Sequence, residues 1–299
     1  MYYIGGLLAP LSVAVLLAAL LSALLSRAIT RRITSPMLRV DLDAPLESRT
    51  YREIAPFLER IDAQRIEPVR QNEQLACAVE MRREFTGNVS HEMKSPLQVI
   101  GGYAELIEEG MASPDDARRF AGIIKSEAQS MRTLIDEVLT LSRLDEGATN
   151  DVRTIDVTEL VSRVVGRLSS VADASGVEIA VDSSECSARC DEALLEQAVY
   201  NLVDNAVRYG NGRVEITARS DGEKVAITVS DDGEGILIDQ RERVFERFYR
   251  VDASRSRSTG GTGLGLAIVK HAADAMGGCV FVGDSEMGGA SFVLELPAQ

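Results

Sequence analysis

Hydrophobic and polar residues follow three different patterns along this chain. Residues 4–25 contain no charge, residues from about 69 to 141 carry apolar positions three and four apart, and the remaining C-terminal half mixes that spacing with strict alternation. An uncharged run of about 22 residues is long enough to cross a hydrocarbon core of about 30 Å as a helix. The pattern therefore predicts a transmembrane segment in residues 1–26.

Basic residues follow this apolar run and none precedes it, the first being Arg27. A secretory signal peptide, the alternative, would carry positive charge on its N-terminal side. Because basic flanks stay in the cytoplasm, the N-terminus is predicted outside an inner (cytoplasmic) membrane and the rest of the chain inside. Residues 27–69 contain four prolines and are predicted to form a juxtamembrane relay.

Two apolar seams with helical spacing lie on either side of the break at Ser113-Pro114. They run through residues 85–107 and 120–141 with the spacing of a heptad pattern. The seams predict an antiparallel helical hairpin in residues 70–146. Because two helices bury two seams poorly, we expect a homodimer that closes a four-helix bundle. The alternative is a hairpin that packs on its own C-terminal domain.

One of the two histidines of the chain lies in the first of these helices. At about 100° per residue, the apolar side chains of the seam fall within about 60° of the direction opposite His91. His91 therefore points away from the seam, which disfavours a buried core histidine, and Ser95 lies on the same outward face. A surface histidine without a role remains the alternative from this stretch alone.

The C-terminal region alternates helix-like and strand-like stretches. Helices are predicted at 158–174, 191–209 and 266–276, and strands at 177–181, 214–218, 225–229, 280–282 and 291–296. A turn at residues 220–222 joins the second and third strands into a hairpin. Helices gathered against one mainly antiparallel sheet form an α/β sandwich, which we predict for residues 152–299.

The helix predicted at 191–209 carries two asparagines on one face. Asn201 and Asn205 are four residues apart, and Gln197 lies one turn before them. Asparagine is a poor interior helix residue because its amide competes with the backbone. Amide oxygens suit Mg²⁺ when phosphates and water complete the coordination shell, although a solvated polar stripe would show the same pattern.

The strand predicted at 225–229 runs into the sequence DDGEG. A carboxylate at a strand end, here Asp231, can accept a hydrogen bond from an exocyclic amine such as that of adenine. Gly233 and Gly235 would let a planar ligand approach the backbone because they lack a Cβ. A simple glycine-rich turn is the alternative.

The sequence GGTGLGLAIV, residues 260–269, is a glycine-rich loop that runs into a helix. Backbone N–H groups at such a helix start, together with the helix dipole, favour bound phosphate. Arg247 and Arg250 lie upstream, in a stretch that could close over a polyphosphate with bidentate contacts. Metal, base and phosphate signals thus occur in one domain and point to a nucleotide site.

The net charge restricts the partners further. A formal net charge of −14 leaves no domain-wide basic surface for neutralising phosphate backbones, which disfavours nucleic acid as a partner.

From about residue 27 onward, these stretches together resemble the sensor histidine kinases of two-component signalling. HEMKSP resembles the phosphoacceptor box of that family, QAVYNLVDNAVRY its N box, DDGEG its first glycine box, VFERFYR its F box and GGTGLGL its second glycine box. The resemblance implies an α+β multidomain protein with a HisKA-type dimerisation hairpin and a C-terminal ATP-binding domain of the GHKL fold, shared with Hsp90, gyrase and MutL. SRAITRRITSPM resembles the start of a HAMP relay.

The resemblance also implies catalytic roles on the hairpin. His91 would be phosphorylated, with Glu92 as the adjacent general base. Many relatives have Thr or Asn at the position of Ser95, whose hydroxyl could position water for the dephosphorylation of a regulator.

For the ATP site, the resemblance makes Asn205 the principal Mg²⁺ ligand, with Asn201 near it, and places Asp231 at the adenine amino group with Gly233 and Gly235 beside it. The remaining ATP-binding residues that it implies are Arg208 and Tyr209 near the phosphates and Gly261, Thr262, Gly263, Leu264 and Gly265 in the lid.

The expected function is that of a membrane-bound kinase that phosphorylates His91 from ATP and passes the phosphoryl group to an aspartate of a cytoplasmic response regulator. Two alternatives remain at this point: a GHKL-type ATPase clamp, and a catalytically silent scaffold that binds the regulator.

Overall fold

The computed structural model describes residues 5–31, 55–146, 151–251 and 261–298, with side chains from residue 14 in the first range and mostly from residue 83 in the second. The chain divides into two compact units, residues 1–83 and 84–299. Most of the predicted relay lies outside the described residues. Within the described part of the chain, no helix has both the length and the apolar character needed to span a membrane.

The described residues of the N-terminal half contain three helices: α1 (Gly5–Ile29), α2 (Ala55–Glu108) and α3 (Pro114–Asp145). The sequence dictates the turn between α2 and α3. Gly110 has a φ of 67°, the left-handed conformation that commonly ends a helix. The Ser113 side chain then caps α3 by accepting a hydrogen bond from the N–H of Asp116 at 3.1 Å, and Pro114 begins the helix. The predicted hairpin is therefore confirmed.

The seam of the hairpin is only partly covered within one chain. Leu97 is 55% exposed and Ile135 is 41% exposed. By contrast, Leu134, Leu141 and Leu144 are buried, and α3 packs on the C-terminal domain. The hairpin thus packs on its own C-terminal domain, as the alternative interpretation of the sequence had it, while its remaining apolar surface stays available to a second copy.

The C-terminal domain is built around a five-stranded sheet, confirming the predicted α/β sandwich. The strands are β1 (Val152–Asp156), β2 (Glu178–Ser183), β3 (Ser187–Asp191), β4 (Arg213–Ser220), β5 (Lys224–Asp231), β6 (Cys279–Asp284) and β7 (Ala290–Pro297). The order in the large sheet is β2-β4-β5-β7-β6, where β2 pairs with β4 in parallel and all other pairs are antiparallel. β1 and β3 form a separate antiparallel pair, which the sequence pattern missed.

In the part of this domain that the structure describes, the α-helices are α4 (Val157–Ser175), α5 (Glu192–Tyr209) and α6 (Gly265–Ala275). Aspartate side chains define two of the starts. Asp156 accepts from the N–H of Glu159 at 3.1 Å, and Asp191 accepts from the N–H of Ala193 at 3.0 Å, which satisfies donors that have no partner within a helix.

Alternation along the strands decides which side of the sheet forms the core. In β4 and β5 every second residue is fully buried, as in Val225, Ile227 and Val229, while the residues between them remain partly exposed. The buried face packs with apolar side chains of the helices, including Leu202 of α5 and Ile268 of α6. The sheet therefore fixes the positions of α5 and α6, which carry most of the predicted site.

A matched pair of phenylalanines tests this assignment of the core. Phe292 on β7 is fully buried, whereas Phe281 on the paired strand β6 is 46% exposed. We expect Phe292→Ala to lower the free energy of unfolding by about 3–5 kcal/mol, because it removes buried apolar area and leaves a cavity. Phe281→Ala should cost less than about 1 kcal/mol. Urea unfolding followed by circular dichroism measures both, and equal losses would contradict the burial described here.

Candidate active site

The middle and the C-terminal end of α5 bring the predicted nucleotide motifs together. The amide of Asn201 contacts the start of α6, since its Nδ2 donates to the carbonyl oxygen of Gly265 at 3.1 Å. Next to the end of α5, Asp232 of the DDGEG turn accepts from the N–H groups of Asn211 at 2.7 Å and Gly212 at 3.0 Å. One helix therefore holds both the base-side turn and the phosphate-side loop in place.

Asn201 has a structural role that explains an asparagine inside a helix. Its Oδ1 accepts from Nε2 of Gln197 at 3.0 Å, and its Nδ2 is committed to Gly265. The side chain is buried, so both of its polar atoms need these partners. With its oxygen engaged, Asn201 is a weaker candidate for a metal ligand than its neighbour one turn later.

Asn205 is half-buried, and its amide makes no hydrogen bond with the described residues. Beside it, Arg208 donates through Nε to the carboxylate of Asp204 at 2.6 Å. This arrangement leaves the amide oxygen of Asn205 available for a hard cation.

Asp231 is a buried carboxylate, only 3% exposed, at the end of β5. Its Oδ1 accepts from the N–H groups of Gly233 at 2.9 Å and Ala290 at 3.1 Å. Burial raises the pKa of Asp231, and the two backbone donors lower it in opposition. Because both donors reach the same oxygen, the second carboxylate oxygen can face a ligand.

The glycines of the site are required by close packing and by backbone conformation. A Cβ at Gly233 would clash with the carbonyl oxygen of Tyr209, so this glycine keeps the DDGEG turn against the end of α5. Gly263 has a φ of 76°, and its Cβ would lie 3.0 Å from the backbone of Phe248. Glycine is required at position 233 because a side chain there would clash with the protein's own backbone. The sequence pattern had instead suggested that glycine makes room for a ligand.

The remaining predicted lid residues lie at the start of α6. The hydroxyl oxygen of Thr262 accepts from the N–H of Leu264 at 3.2 Å, directly before the helix begins at Gly265. A Cβ at Gly261 would lie 3.4 Å from the hydroxyl oxygen of Tyr209, which places that ring beside the loop. Gly235 has a φ of 72° and turns the chain away from the strand.

On the hairpin, His91 and Ser95 are exposed on α2, as the seam geometry predicts. Glu92 is reached from the catalytic domain: Nη2 of Arg250 lies 3.3 Å from its carboxylate oxygen. The same guanidinium donates to the carbonyl oxygen of Gly261. Arg250 thus joins the neighbour of the histidine to the phosphate-side loop.

A second arginine fastens the end of α3 to the catalytic domain. Arg247 donates to the carboxylate of Asp145 at 2.6 Å and lies over the ring of Phe85, 5.2 Å from its centroid. Phe248 contacts the same ring with a centroid separation of 5.8 Å, and its own backbone has a φ of 63°. His271, the other histidine, lies 2.9 Å from Arg247.

Sequence reasoning missed these contacts between the domains. It predicted that Arg247 and Arg250 would contact polyphosphate, whereas here they bind hairpin carboxylates. It also missed Glu137 on α3, whose pKa is raised to about 7 by burial and lowered in opposition by the nearby hydroxyl of Thr262. In the sequence, Glu137 is simply a charged residue between apolar positions of the seam, and such a residue is normally predicted to be exposed to solvent.

The residues present fit a nucleotide with a divalent cation. A buried carboxylate lies at one end of the site, backbone N–H groups of a helix start lie at the other, and the Asn205 amide lies on the helix between them. Among the described residues, no group of three or more His, Cys, Asp or Glu side chains could hold a metal ion. A cation bound beside Asn205 would be coordinated by its amide oxygen, by phosphate oxygens and by water.

Comparison with protein families agrees with this geometry. Residues 81–147 match the His Kinase A (phospho-acceptor) domain, and residues 190–299 match the histidine kinase-, DNA gyrase B-, and HSP90-like ATPase. The first match contains His91, and the second contains every predicted nucleotide residue.

Curated relatives include the sensor-like histidine kinase SenX3 of Mycolicibacterium smegmatis. It is 43% identical over 221 residues, which cover 72% of this chain and 57% of SenX3. The sensor protein kinase WalK of Staphylococcus haemolyticus is 33% identical over 224 residues, covering 73% of this chain and 37% of WalK. The chain thus spans about half of the SenX3 relative and less of WalK.

Solved structures give the same fold. Full-length ShkA in complex with AMPPNP has a TM-score of 0.53 and 32% identity, over 71% of this chain and 45% of that chain. Histidine kinase ThkA in complex with response regulator protein TrrA has a TM-score of 0.61 and 21% identity, over 79% of this chain and 66% of that chain.

Fold and site define a GHKL-type nucleotide-binding domain joined to a histidine-bearing helical hairpin. With both domain families matched and its relatives named sensor kinases, the chain belongs to the sensor histidine kinases.

Two neighbouring aspartates provide a matched test of the site. Asp231→Asn keeps an oxygen for the two backbone donors but removes the negative charge, so affinity for an ATP analogue should fall at least about tenfold, the loss expected for one charge-assisted hydrogen bond. Asp232→Asn changes a carboxylate that accepts from Asn211 and Gly212 and should bind nearly as the parent does. Titration calorimetry measures both, and equal affinities would exclude Asp231 as the base-binding group.

Proposed function

We propose that this chain is a membrane-attached histidine kinase that transfers the γ-phosphoryl group of ATP to His91 and then to an aspartate of a response regulator. The observation that carries the proposal is the exposed His91, followed by Glu92, on a hairpin that Arg250 links to the loop at the start of α6.

Nucleotide binding follows from the groups that surround the end of α5. The free oxygen of Asp231 accepts from the adenine amino group, while the N–H groups at the start of α6 and Arg208 bind phosphates. Mg²⁺ held by Asn205 would neutralise charge on the phosphate oxygens.

At the hairpin, a ring nitrogen of His91 supplies the electron pair that forms the new N–P bond. The bond from the γ-phosphorus to the bridging oxygen breaks, and ADP leaves with that electron pair. Glu92 takes the proton from the other ring nitrogen as positive charge develops on the imidazole. Because Arg250 engages Glu92 in this structure, the transfer requires that Arg250 release the carboxylate.

Transfer to a response regulator is supported by the exposed face that carries His91 and Ser95. An outward histidine can meet an aspartate of a second protein, and the hydroxyl of Ser95, one turn later, lies on the same face to orient water for the reverse, dephosphorylating reaction. The ThkA relative is described in complex with a response regulator.

Dimerisation and membrane attachment complete the proposal. The exposed apolar side chains on α2 and α3 suit a second copy of the hairpin, since two hairpins can bury them in a four-helix bundle. The uncharged run of residues 4–25, followed by arginines, supports an anchor in the cytoplasmic membrane with the catalytic domain inside.

The two histidines of the chain allow a direct test of the kinase reaction. With Mg²⁺ and γ-labelled ATP, the full chain should acquire label that is labile in acid and stable in base. His91→Gln should abolish the label because the accepting nitrogen is gone, whereas His271→Gln should keep most of it. Glu92→Gln should lower the initial rate by about 100-fold, the usual contribution of a general base.

ATP hydrolysis without label on His91 would overturn the kinase proposal and favour an ATPase clamp. Nucleotide binding with neither label nor hydrolysis would favour a silent scaffold.

A second test addresses the dimer. Leu97→Glu places a charge on the exposed part of the seam and should weaken self-association by about 100-fold, because one leucine per chain contributes about 1.5–3 kcal/mol when buried. Gln98→Glu adds the same charge at the next, exposed position and should change little. Co-purification of two differently tagged copies measures the effect, and an unchanged yield for Leu97→Glu would place the dimer contact elsewhere.

A further inference from the structure

Glu137 lies within the apolar face that α3 presents to the catalytic domain. Leu134, Leu141 and Leu144 on this face are 3%, 0% and 8% exposed. At about 100° per residue, Glu137 falls between them, about 60° from Leu134 and about 20° from Leu144. A carboxyl group is thus inserted where the contact is otherwise made by leucines.

The carboxyl reaches the loop at the start of α6. The hydroxyl of Thr262 is close enough to lower the pKa of this carboxyl, in opposition to burial, and the same hydroxyl oxygen accepts from the N–H of Leu264. One carboxyl oxygen, Oε2, is buried and has no hydrogen-bond partner among the described residues. The hairpin therefore places an acid at the loop from which α6 begins.

This position is where a nucleotide would place its phosphates. The start of a helix favours an anion through its unpaired N–H groups and its dipole, and a carboxyl group from the hairpin occupies part of that environment. One residue before Thr262, Arg250 binds the Gly261 carbonyl, and it also contacts Glu92. Both contacts hold the loop to the hairpin.

The charges around Glu137 come from α5. Arg208 attracts the ionised carboxylate and Asp204 repels it, but Arg208 is itself paired with Asp204 at 2.6 Å. Burial, together with the repulsion from Asp204, outweighs the favourable contacts and raises the pKa of Glu137 to about 7. The docked arrangement therefore tolerates the protonated acid better than the carboxylate.

We propose that Glu137 is an autoinhibitory latch: its carboxyl group occupies the phosphate end of the nucleotide site while the hairpin is docked, so that bound polyphosphate and the contact between Glu137 and Thr262 exclude each other. The inference rests on the proposed function, because it requires that nucleotide bind at the start of α6.

The latch has a defined dependence on pH. Glu137 has an ordinary pKa of 4.5 when undocked and about 7 when docked, so docking is strongest when both states are protonated, weakens as pH rises from about 4.5 to about 7, and is constant above that. Between pH 6 and pH 8 the docking equilibrium should therefore change by about tenfold.

Three variants of the full chain test the latch by titration with Mg²⁺ and a non-hydrolysable ATP analogue at pH 6 and pH 8. Glu137→Ala should bind more tightly than the parent, and the ratio of the two affinities should be up to about tenfold larger at pH 6 than at pH 8. The nucleotide's own phosphate also titrates in this range, but that effect is the same for both proteins and drops out of the ratio. Glu137→Gln, which resembles the protonated acid, should bind weakly at both pH values.

Asp136→Asn is the control, because it removes an exposed carboxylate from the adjacent position and should follow the parent at both pH values. Equal affinity of the parent and Glu137→Ala at both pH values would overturn the latch while leaving the proposed function intact. Absence of nucleotide binding in every variant would overturn both proposals. If Glu137→Ala proves unstable, a pH dependence in Glu137→Gln equal to that of Asp136→Asn overturns the latch.

Discussion

The hydrogen bond from Asn201 to the carbonyl oxygen of Gly265 fixes the first residue of α6 against the middle of α5. Both helices lie on the same sheet, so this bond decides where the phosphate-side loop lies relative to the strand that ends at Asp231. The hairpin then packs on α6, and its position depends on the same bond. The buried Asn201 amide holds the two helices in a fixed relative position, because breaking either of its hydrogen bonds would leave a buried polar atom without a partner.

Periodicity predicted most of the secondary structure because each element obeys its local pattern. The five strands of the large sheet and the described helices of the catalytic domain are found within a few residues of the predicted bounds, and α3 ends at the predicted end of the hairpin. The first helix of the hairpin was placed less well, since α2 begins at Ala55 whereas the hairpin was predicted to begin at residue 70. The exposure of His91 also followed from helix geometry, since the side chains opposite to it pack inward. The short pair β1 and β3 was missed, because in β1 only Ile155 is buried and its neighbours are exposed, so that strand shows no alternating apolar pattern.

Contacts between distant parts of the chain could not be read from the sequence. Arg247 and Arg250 carry charge that suits either phosphate or carboxylate, and only the fold shows that Asp145 and Glu92 lie within reach. Asn201 and Asn205 look alike in sequence, yet one is saturated by protein partners and the other is open. Glu137 looked like a surface residue because the packing of α3 on its own catalytic domain cannot be inferred from a pattern that equally suits a dimer.

The left-handed backbone of Phe248 sets a limit on how this region can change. Phe248 faces Gly263, so two residues of that handedness lie against each other, and its N–H donates to the Gly263 carbonyl at 2.9 Å. A residue with a Cβ costs about 1 kcal/mol or more in that conformation, which a contact such as that of its ring with Phe85 can offset. Two left-handed residues in contact restrict substitution in this segment. Whether a new residue is accepted at either position depends first on whether its backbone can adopt a positive φ, and only then on its side chain.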